Sequence, residues 1–324
     1  MEMVYKIDRL VITSYKLQLR KNFEIVAINL QTEVGVRLKY KLLALDLDGT
    51  VFNSRKEIDQ ETIETIHEFK DLGGKVVICS GRSPLSTRWV SETLRLDDAI
   101  IAYNGAVIQE ANGEIICQSA FTQKGIQTFI DACETYNVYG QLYEGDSLLV
   151  SERNKWNENW IENNIPSFTM SGGKQERCEN FRRQCEVRQI NHLKDHVKSN
   201  EPVVLKFAAF RKEAGKFHEF TDYLSAISSE FEVSSSLDFA NLEISPAKTT
   251  KGTSLNRLID RLGLEMAEVA AIGDNFNDLD MLRLAGLGIA MGNAPTQVKE
   301  AANRVTTTND ELGVAKAIQI IIRG

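Results

Sequence analysis

Residues 42–48, Leu-Leu-Ala-Leu-Asp-Leu-Asp, run four apolar side chains straight into a pair of carboxylates, and Gly49 follows. An apolar run without polar alternation is the pattern of a strand covered on both faces, which belongs in a parallel sheet. The period then changes. Asp59 stands at an N-cap position, Ile63, Ile66 and Phe69 share one helical face, and Gly73-Gly74 ends the segment, which predicts a helix over 60–72. Lys75 to Cys79 reads as a second buried strand, and Ser83-Pro84 as the N-cap and first turn of a helix carrying Leu85, Trp89 and Val90. Ala99 to Ala102 is a third strand. Alternation with short links predicts an α/β fold with right-handed crossovers and a doubly wound parallel sheet, its ligand site at the carboxyl ends of the strands. Chemistry is therefore expected after Leu45, Cys79 and Ile272.

Between residues 110 and 240 the rhythm changes to longer strand-like pieces, Gln141 to Val150 and Val203 to Phe210, with helical stretches near 122–136 and 214–228. This predicts an inserted α/β cap domain over 110–240, inside a core made of 41–109 and 241–324. Residues 171–200 are strongly charged, with Arg177, Arg182, Arg183, Arg188, Lys194 and Lys198 among acids, and read as a solvated helical face. The helical period returns at Leu255, Leu258, Ile259 and Leu262, and a buried strand at Val269 to Ile272 resumes the core. Residues 1–40 form an extension whose role is not readable.

Composition excludes several functions. A net charge of −7 gives no basis for a sequence-independent hold on nucleic acid. No apolar run approaches the roughly 18 residues of a membrane helix, and the mixed N-terminus lacks an unbroken signal segment, so a cytoplasmic location without membrane partners is expected. Five cysteines with no Cys-x-x-Cys pair suit a reducing compartment, and Cys79 reads as a buried strand residue.

Asp46-Leu47-Asp48-Gly49-Thr50 puts two carboxylates two residues apart where a buried strand ends, so both can point to one side. Like charges so close tolerate ionisation beside a cation, which points to Mg²⁺ held by few carboxylates, water and a substrate phosphate. Gly273-Asp274-Asn275-Phe276-Asn277-Asp278 supplies a second acidic cluster at the same sheet edge. Ser80-Gly81-Arg82 offers a hydroxyl and backbone N–H groups to phosphate oxygens. Lys251-Gly252, before a helix expected near Thr253, offers an ammonium opposite the metal, with Lys248 as a rival.

These four segments, Asp-Leu-Asp-Gly-Thr, Ser-Gly-Arg, Thr-Lys-Gly and Gly-Asp-Asn-Phe-Asn-Asp, resemble in type and order those of the haloacid dehalogenase-like hydrolases. Asn104-Gly105-Ala106 and Leu242-Glu243-Ile244-Ser245-Pro246 resemble the Cof-type sugar-phosphatase branch, and the resemblance covers about residues 41–324. It implies a Rossmann-like core with an α/β cap, and a Mg²⁺-dependent phosphatase acting on a small phosphomonoester. It also implies roles: Asp46 attacks phosphorus, and Asp48 protonates the leaving oxygen and then activates water. Asp46, Asp48 through its carbonyl, Asp274 and Asp278 serve the metal, while Leu47, Ser80, Gly81, Lys251 and Asn277 bind phosphate. Ser80 stands where threonine is frequent, which preserves the hydroxyl.

Three other readings compete. A phosphomutase would keep the acyl-phosphate and pass the group to a sugar. A non-enzymatic phosphate binder would have lost a catalytic group, and none is missing. His192 and His196 have the spacing of a helical metal pair, but the Glu of His-Glu-x-x-His is absent. Glu144, Asp146, Arg153 and Lys206 are the polar cap residues expected to be available to a leaving group.

Overall fold

In the computed structural model, which describes residues 38–165, 174–212, 214–227, 229–235 and 241–323, the apolar run Leu42–Leu45 is strand β1, buried throughout. The N-terminal extension lies outside the described residues up to residue 37. Helix α1 (Gln60–Asp71) turns Thr62, Thr65, Ile66 and Phe69 inward. Asp59 sits at its N-cap without a side-chain cap bond, its Oδ1 accepting from Asn53 Nδ2 at 3.5 Å instead. Strand β2 (Lys75–Cys79) and helix α2 (Pro84–Thr93) repeat the unit, and here Ser83 does cap, its Oγ accepting from Ser86 N–H at 3.3 Å. After β3 (Ile100–Ala102), strands β4 (Val107–Gln109) and β5 (Ile115–Gln118) fold back antiparallel.

The chain then builds a second layer from α3 (Gln123–Thr135), β6 (Tyr139–Glu144), β7 (Ser147–Val150), α4 (Trp160–Asn164) and α5 (Lys174–Gln184). It continues through β8 (Val187–Gln189), α6 (Leu193–Asn200), β9 (Val204–Phe210), α7 (Ala214–Ala226), β10 (Phe231–Ser235) and β11 (Asn241–Pro246). The core resumes with α8 (Lys251–Leu262), β12 (Val269–Gly273), α9 (Leu279–Leu284), β13 (Leu287–Ala290), α10 (Thr296–Ala301), β14 (Arg304–Val305) and α11 (Gly313–Arg323). The larger sheet has the order β14-β13-β12-β1-β2-β3-β4-β5, parallel from β14 to β3 and antiparallel at the β4–β5 edge. This is the expected α/β core, and it sets β1 between β12 and β2, so their carboxyl ends lie side by side.

The smaller sheet, β10-β11-β9-β6-β7-β8, is antiparallel except between β7 and β8. Its strands alternate as half-covered strands do. Leu142, Phe207 and Ile244 sit across from one another and pack with Phe129 and Phe220, whose helices cover that face. Tyr143, Lys206 and Glu243 point the other way, toward the larger sheet. Sheet membership differs from the 110 and 240 limits expected for the cap. β5 belongs to the larger sheet, because its apolar edge pairs with β4, and β11 belongs to the smaller, because it is sandwiched between β9 and β10. The piece 141–150 is a hairpin turned at Gly145, whose φ is +56°, and the charged segment around Arg188 contains a strand, β8. Among the described residues no helix is long and apolar enough to cross a membrane.

Candidate active site

Asp46 directly follows β1, anchored by its N–H to the Ile272 carbonyl at 3.1 Å. Its buried carboxylate accepts from Lys251 Nζ at 2.6 Å, and the same ammonium donates to Asp278 Oδ1 at 2.7 Å. Lys251 is the first residue of α8, two positions before the start expected at Thr253. Thr250 is the cap: its Oγ accepts from Thr253 N–H at 3.0 Å while Thr253 Oγ accepts from Thr250 N–H at 2.9 Å. Burial alone would lower the Lys251 pKa, but the charges of Asp278 and Asp46 outweigh it and keep the ammonium protonated. Lys248 lies on the exposed side of the turn, with φ +59°.

Asp274 enters from the end of β12. Its Oδ1 accepts from Thr50 Oγ at 3.2 Å and its Oδ2 from Asn293 Nδ2 at 3.3 Å. Gly49 makes the approach possible: its φ is +81°, and a Cβ there would stand 2.2 Å from Asp274 Oδ2. Asp46, Asp274 and Asp278 bring one oxygen each within 4.8 Å of one another. Burial first, then the neighbouring carboxylates, push Asp46 up to about 7 and Asp274 up to about 8. Hard oxygen donors gathered so closely in a buried place fit a divalent cation, which would reverse both shifts. Asp278 is engaged elsewhere, since its Oδ2 accepts from the N–H groups of Asp274 and Asn275 at 2.9 Å each. The oxygens best placed for a cation are those of Asp46 and Asp274.

Asp48 opens into the cavity, its side chain 56% exposed. Arg82 grips it bidentately, Nε to Oδ2 at 2.6 Å and Nη2 to Oδ1 at 2.7 Å. Partial burial pushes the Asp48 carboxyl up, but this guanidinium holds it below its ordinary value. Ser80, Gly81 and Asn277 line the same cavity of about 370 Å³, with Tyr143, Trp160 and Lys206 on the cap side. Leu47 is buried, and its carbonyl folds the loop back by accepting from Thr50 and Phe52 N–H.

Most residues singled out in the sequence therefore meet at one sheet edge, and some do not. Of the four polar cap residues, only Lys206 is among those lining the cavity. Glu144 pairs with Arg188, Asp146 accepts from Leu85 N–H at 2.8 Å, and Arg153 donates to the Val187 carbonyl at 2.5 Å. His192 and His196 lie at the start of α6, outside the carboxylate cluster, which is the only such group among the described residues. Sequence reasoning assigned no role to Arg82, Asn104, Glu243 or Asn293. Arg82, Asn104 and Glu243 lie inside motifs already noted, whereas Asn293 carries no sequence signal.

The chain matches the family model described as haloacid dehalogenase-like hydrolase over residues 43–318 and belongs to that family, in its Cof-type branch. It is a phosphatase, as its relatives are. It is 29% identical to phosphatase YwpJ of Bacillus subtilis over 87% of this chain and 100% of that protein. It is 31% identical to 5-amino-6-(5-phospho-D-ribitylamino)uracil phosphatase YwtE of the same organism, over 88% of this chain and 99% of that one. A solved haloacid dehalogenase-like hydrolase from B. subtilis superposes with a TM-score of 0.72 at 28% identity, covering 86% of this chain and 99% of the other. Phosphatases of this family generally use a divalent metal, and the buried aspartates here fit one.

Proposed function

We propose that this phosphatase hydrolyses a small phosphomonoester, a sugar phosphate or related metabolite, through an aspartyl-phosphate on Asp46, with Mg²⁺ as its cation. The observation that carries this reading is Asp46, which lines a polar cavity and is held from behind by the buried Lys251 ammonium that it shares with Asp278. A carboxylate so placed is screened toward a phosphate, and its nucleophilic oxygen is fixed in direction. The Asp46 carboxylate attacks phosphorus as the ester oxygen departs, and Asp48, released from Arg82 and protonated when substrate is bound, gives that oxygen its proton. Asp48 then takes a proton from the water that attacks the acyl-phosphate, which releases phosphate and restores Asp46. Asp46, Asp274 and the Asp48 carbonyl would hold Mg²⁺, which supplies charge neutralisation to the transferring group. Asp278 steadies the loop and Lys251, and Ser80, Gly81, Lys251, Asn277 and the backbone at Leu47 take the phosphate oxygens. YwtE is named for a ribityl phosphate, and the polar cavity suits a leaving group of that hydroxylated kind.

The test is a panel of phosphometabolites and p-nitrophenyl phosphate with Mg²⁺ and no bisphosphate activator. Inorganic phosphate should be released by the wild type, while Asp46→Asn folds and is inactive. Turnover near wild type in Asp46→Asn would remove the nucleophile from this scheme, and a positional isomer in place of free phosphate would make the enzyme a mutase.

A further inference from the structure

Asn104-Gly105-Ala106 and Leu242-Glu243-Ile244-Ser245-Pro246 take no part in the chemistry above, yet they are joined to both sides of the phosphate site. Asn277 Nδ2 donates to Asn104 Oδ1 at 3.0 Å, and Asn104 Nδ2 donates to Glu243 Oε2 at 2.6 Å. The second Glu243 oxygen accepts from Lys206 Nζ at 2.5 Å, and that ammonium also donates to the Gly81 carbonyl at 2.9 Å. The bonds thus run from the Asn277 turn, through β11 and β9 of the cap sheet, back to the turn that follows β2. Asn104 N–H closes the loop on the Ser80 carbonyl at 3.0 Å.

The fit of these groups is tight. Asn104 is buried with a left-handed backbone at φ +54°, a conformation that persists when surrounding contacts fix it. A Cβ on Gly81 would stand 3.0 Å from both Asn104 Oδ1 and Glu243 Oε2, so the turn rests directly on this network. Burial alone would raise the Glu243 carboxyl, but Lys206 and Asn104 hold it low. Both Glu243 oxygens are used within the protein, as are two of the three Lys206 protons. The pair therefore holds the two turns together, although both residues also line the cavity.

We propose that Glu243, with Asn104 and Lys206, is a positioning brace: the cap sheet sets the spacing between Asn277 and the Ser80-Gly81 turn, and so the grip on the phosphoryl group. This rests on the assignment of Ser80, Gly81 and Asn277 to phosphate. Asn104→Gly keeps the left-handed backbone and strands no charge, and Glu243→Gln keeps an acceptor for Lys206. Each should raise the Ki of inorganic phosphate as a competitor of p-nitrophenyl phosphate by about 10-fold, and lower kcat/KM by about 10- to 100-fold. The loss should be equal for p-nitrophenyl phosphate and for a sugar phosphate, and the double variant should lose no more than the worse single one. A loss confined to the sugar phosphate, a lower Tm with unchanged phosphate Ki, or additive losses would each overturn the brace. Failure of the chemistry itself would be read separately, as wild-type enzyme that releases no phosphate.

Discussion

At the residue scale, two lysines three positions apart have opposite surroundings. Lys251 is wholly buried between two carboxylates, whereas Lys248 is exposed. Losing the buried charge leaves Asp46 and an incoming phosphate unscreened, so Lys251→Ala should lower kcat by about 10²- to 10³-fold. Lys248→Ala should change it little, and kcat and KM measured on one substrate separate the two, because a transition-state role falls on kcat. The same reasoning applies to Asp274. Chelation with EDTA should abolish turnover, Mg²⁺ should restore it, and Asp274→Ala should stay inactive at Mg²⁺ concentrations that saturate the wild type. Full activity after exhaustive dialysis against EDTA would remove the metal from the scheme. The acids and Lys251 were legible because each sits where a buried strand ends or a helix begins, and that position is written in the local apolar pattern. Arg82 was not legible as a partner of Asp48, because the contact joins the ends of two strands whose adjacency is a property of the sheet.

At the element scale, glycines with left-handed backbone serve different ends, and a substitution pair separates them. Gly49 has φ +81° and presses on Asp274, whereas Gly73 has φ +89° with nothing within 4 Å of its missing Cβ. Gly73 only terminates α1, its N–H bonding the Lys70 carbonyl at 2.8 Å. Gly73→Ala should therefore cost about 1–2 kcal/mol of stability and leave the Mg²⁺ dependence alone. Gly49→Ala should displace the Asp274 carboxylate and raise the Mg²⁺ needed for half-maximal activity by about 10- to 100-fold. A Mg²⁺ titration of both variants decides it, and equal shifts would mean that backbone strain alone is responsible. Elements were readable where one period persisted: β1, β12 and, after Lys75, β2 are unbroken apolar runs, and α1, α3 and α7 match their expected spans closely. They were misread where a turn interrupts an apolar stretch, as at Gly145, or where charge hides a short strand, as at Arg188. The sheet that β5 and β11 would join depended on pairing partners far away in sequence, which local pattern does not carry.

At the scale of core and cap together, the two sheets share one apolar cluster. Trp89 and Tyr103 of the core pack with Tyr143, Trp160 and Phe181 of the cap, the Trp89 and Phe181 rings 5.7 Å apart. Polar ties surround it: Tyr103 Oη donates to the Gly145 carbonyl at 2.8 Å, Arg177 pairs with Glu92 at 2.8 Å, and Arg82 reaches the Asn164 carbonyl at 3.5 Å. Relative motion is the default for layers joined by small polar contacts, but a shared buried cluster removes that freedom. Core and cap should therefore open as one cooperative unit. Phe129 tests this, because it is buried under the far face of the cap sheet, in a cluster separate from the shared one. Phe129→Ala should cost about 3–5 kcal/mol through the cavity it leaves. Hydrogen exchange in low denaturant should show peptides of β1 and β6 opening at the same midpoint in the wild type, and both midpoints falling together in Phe129→Ala. If β6 alone lost protection while β1 kept its wild-type midpoint, the cap would be unfolding independently, and the shared cluster would not couple the two sheets.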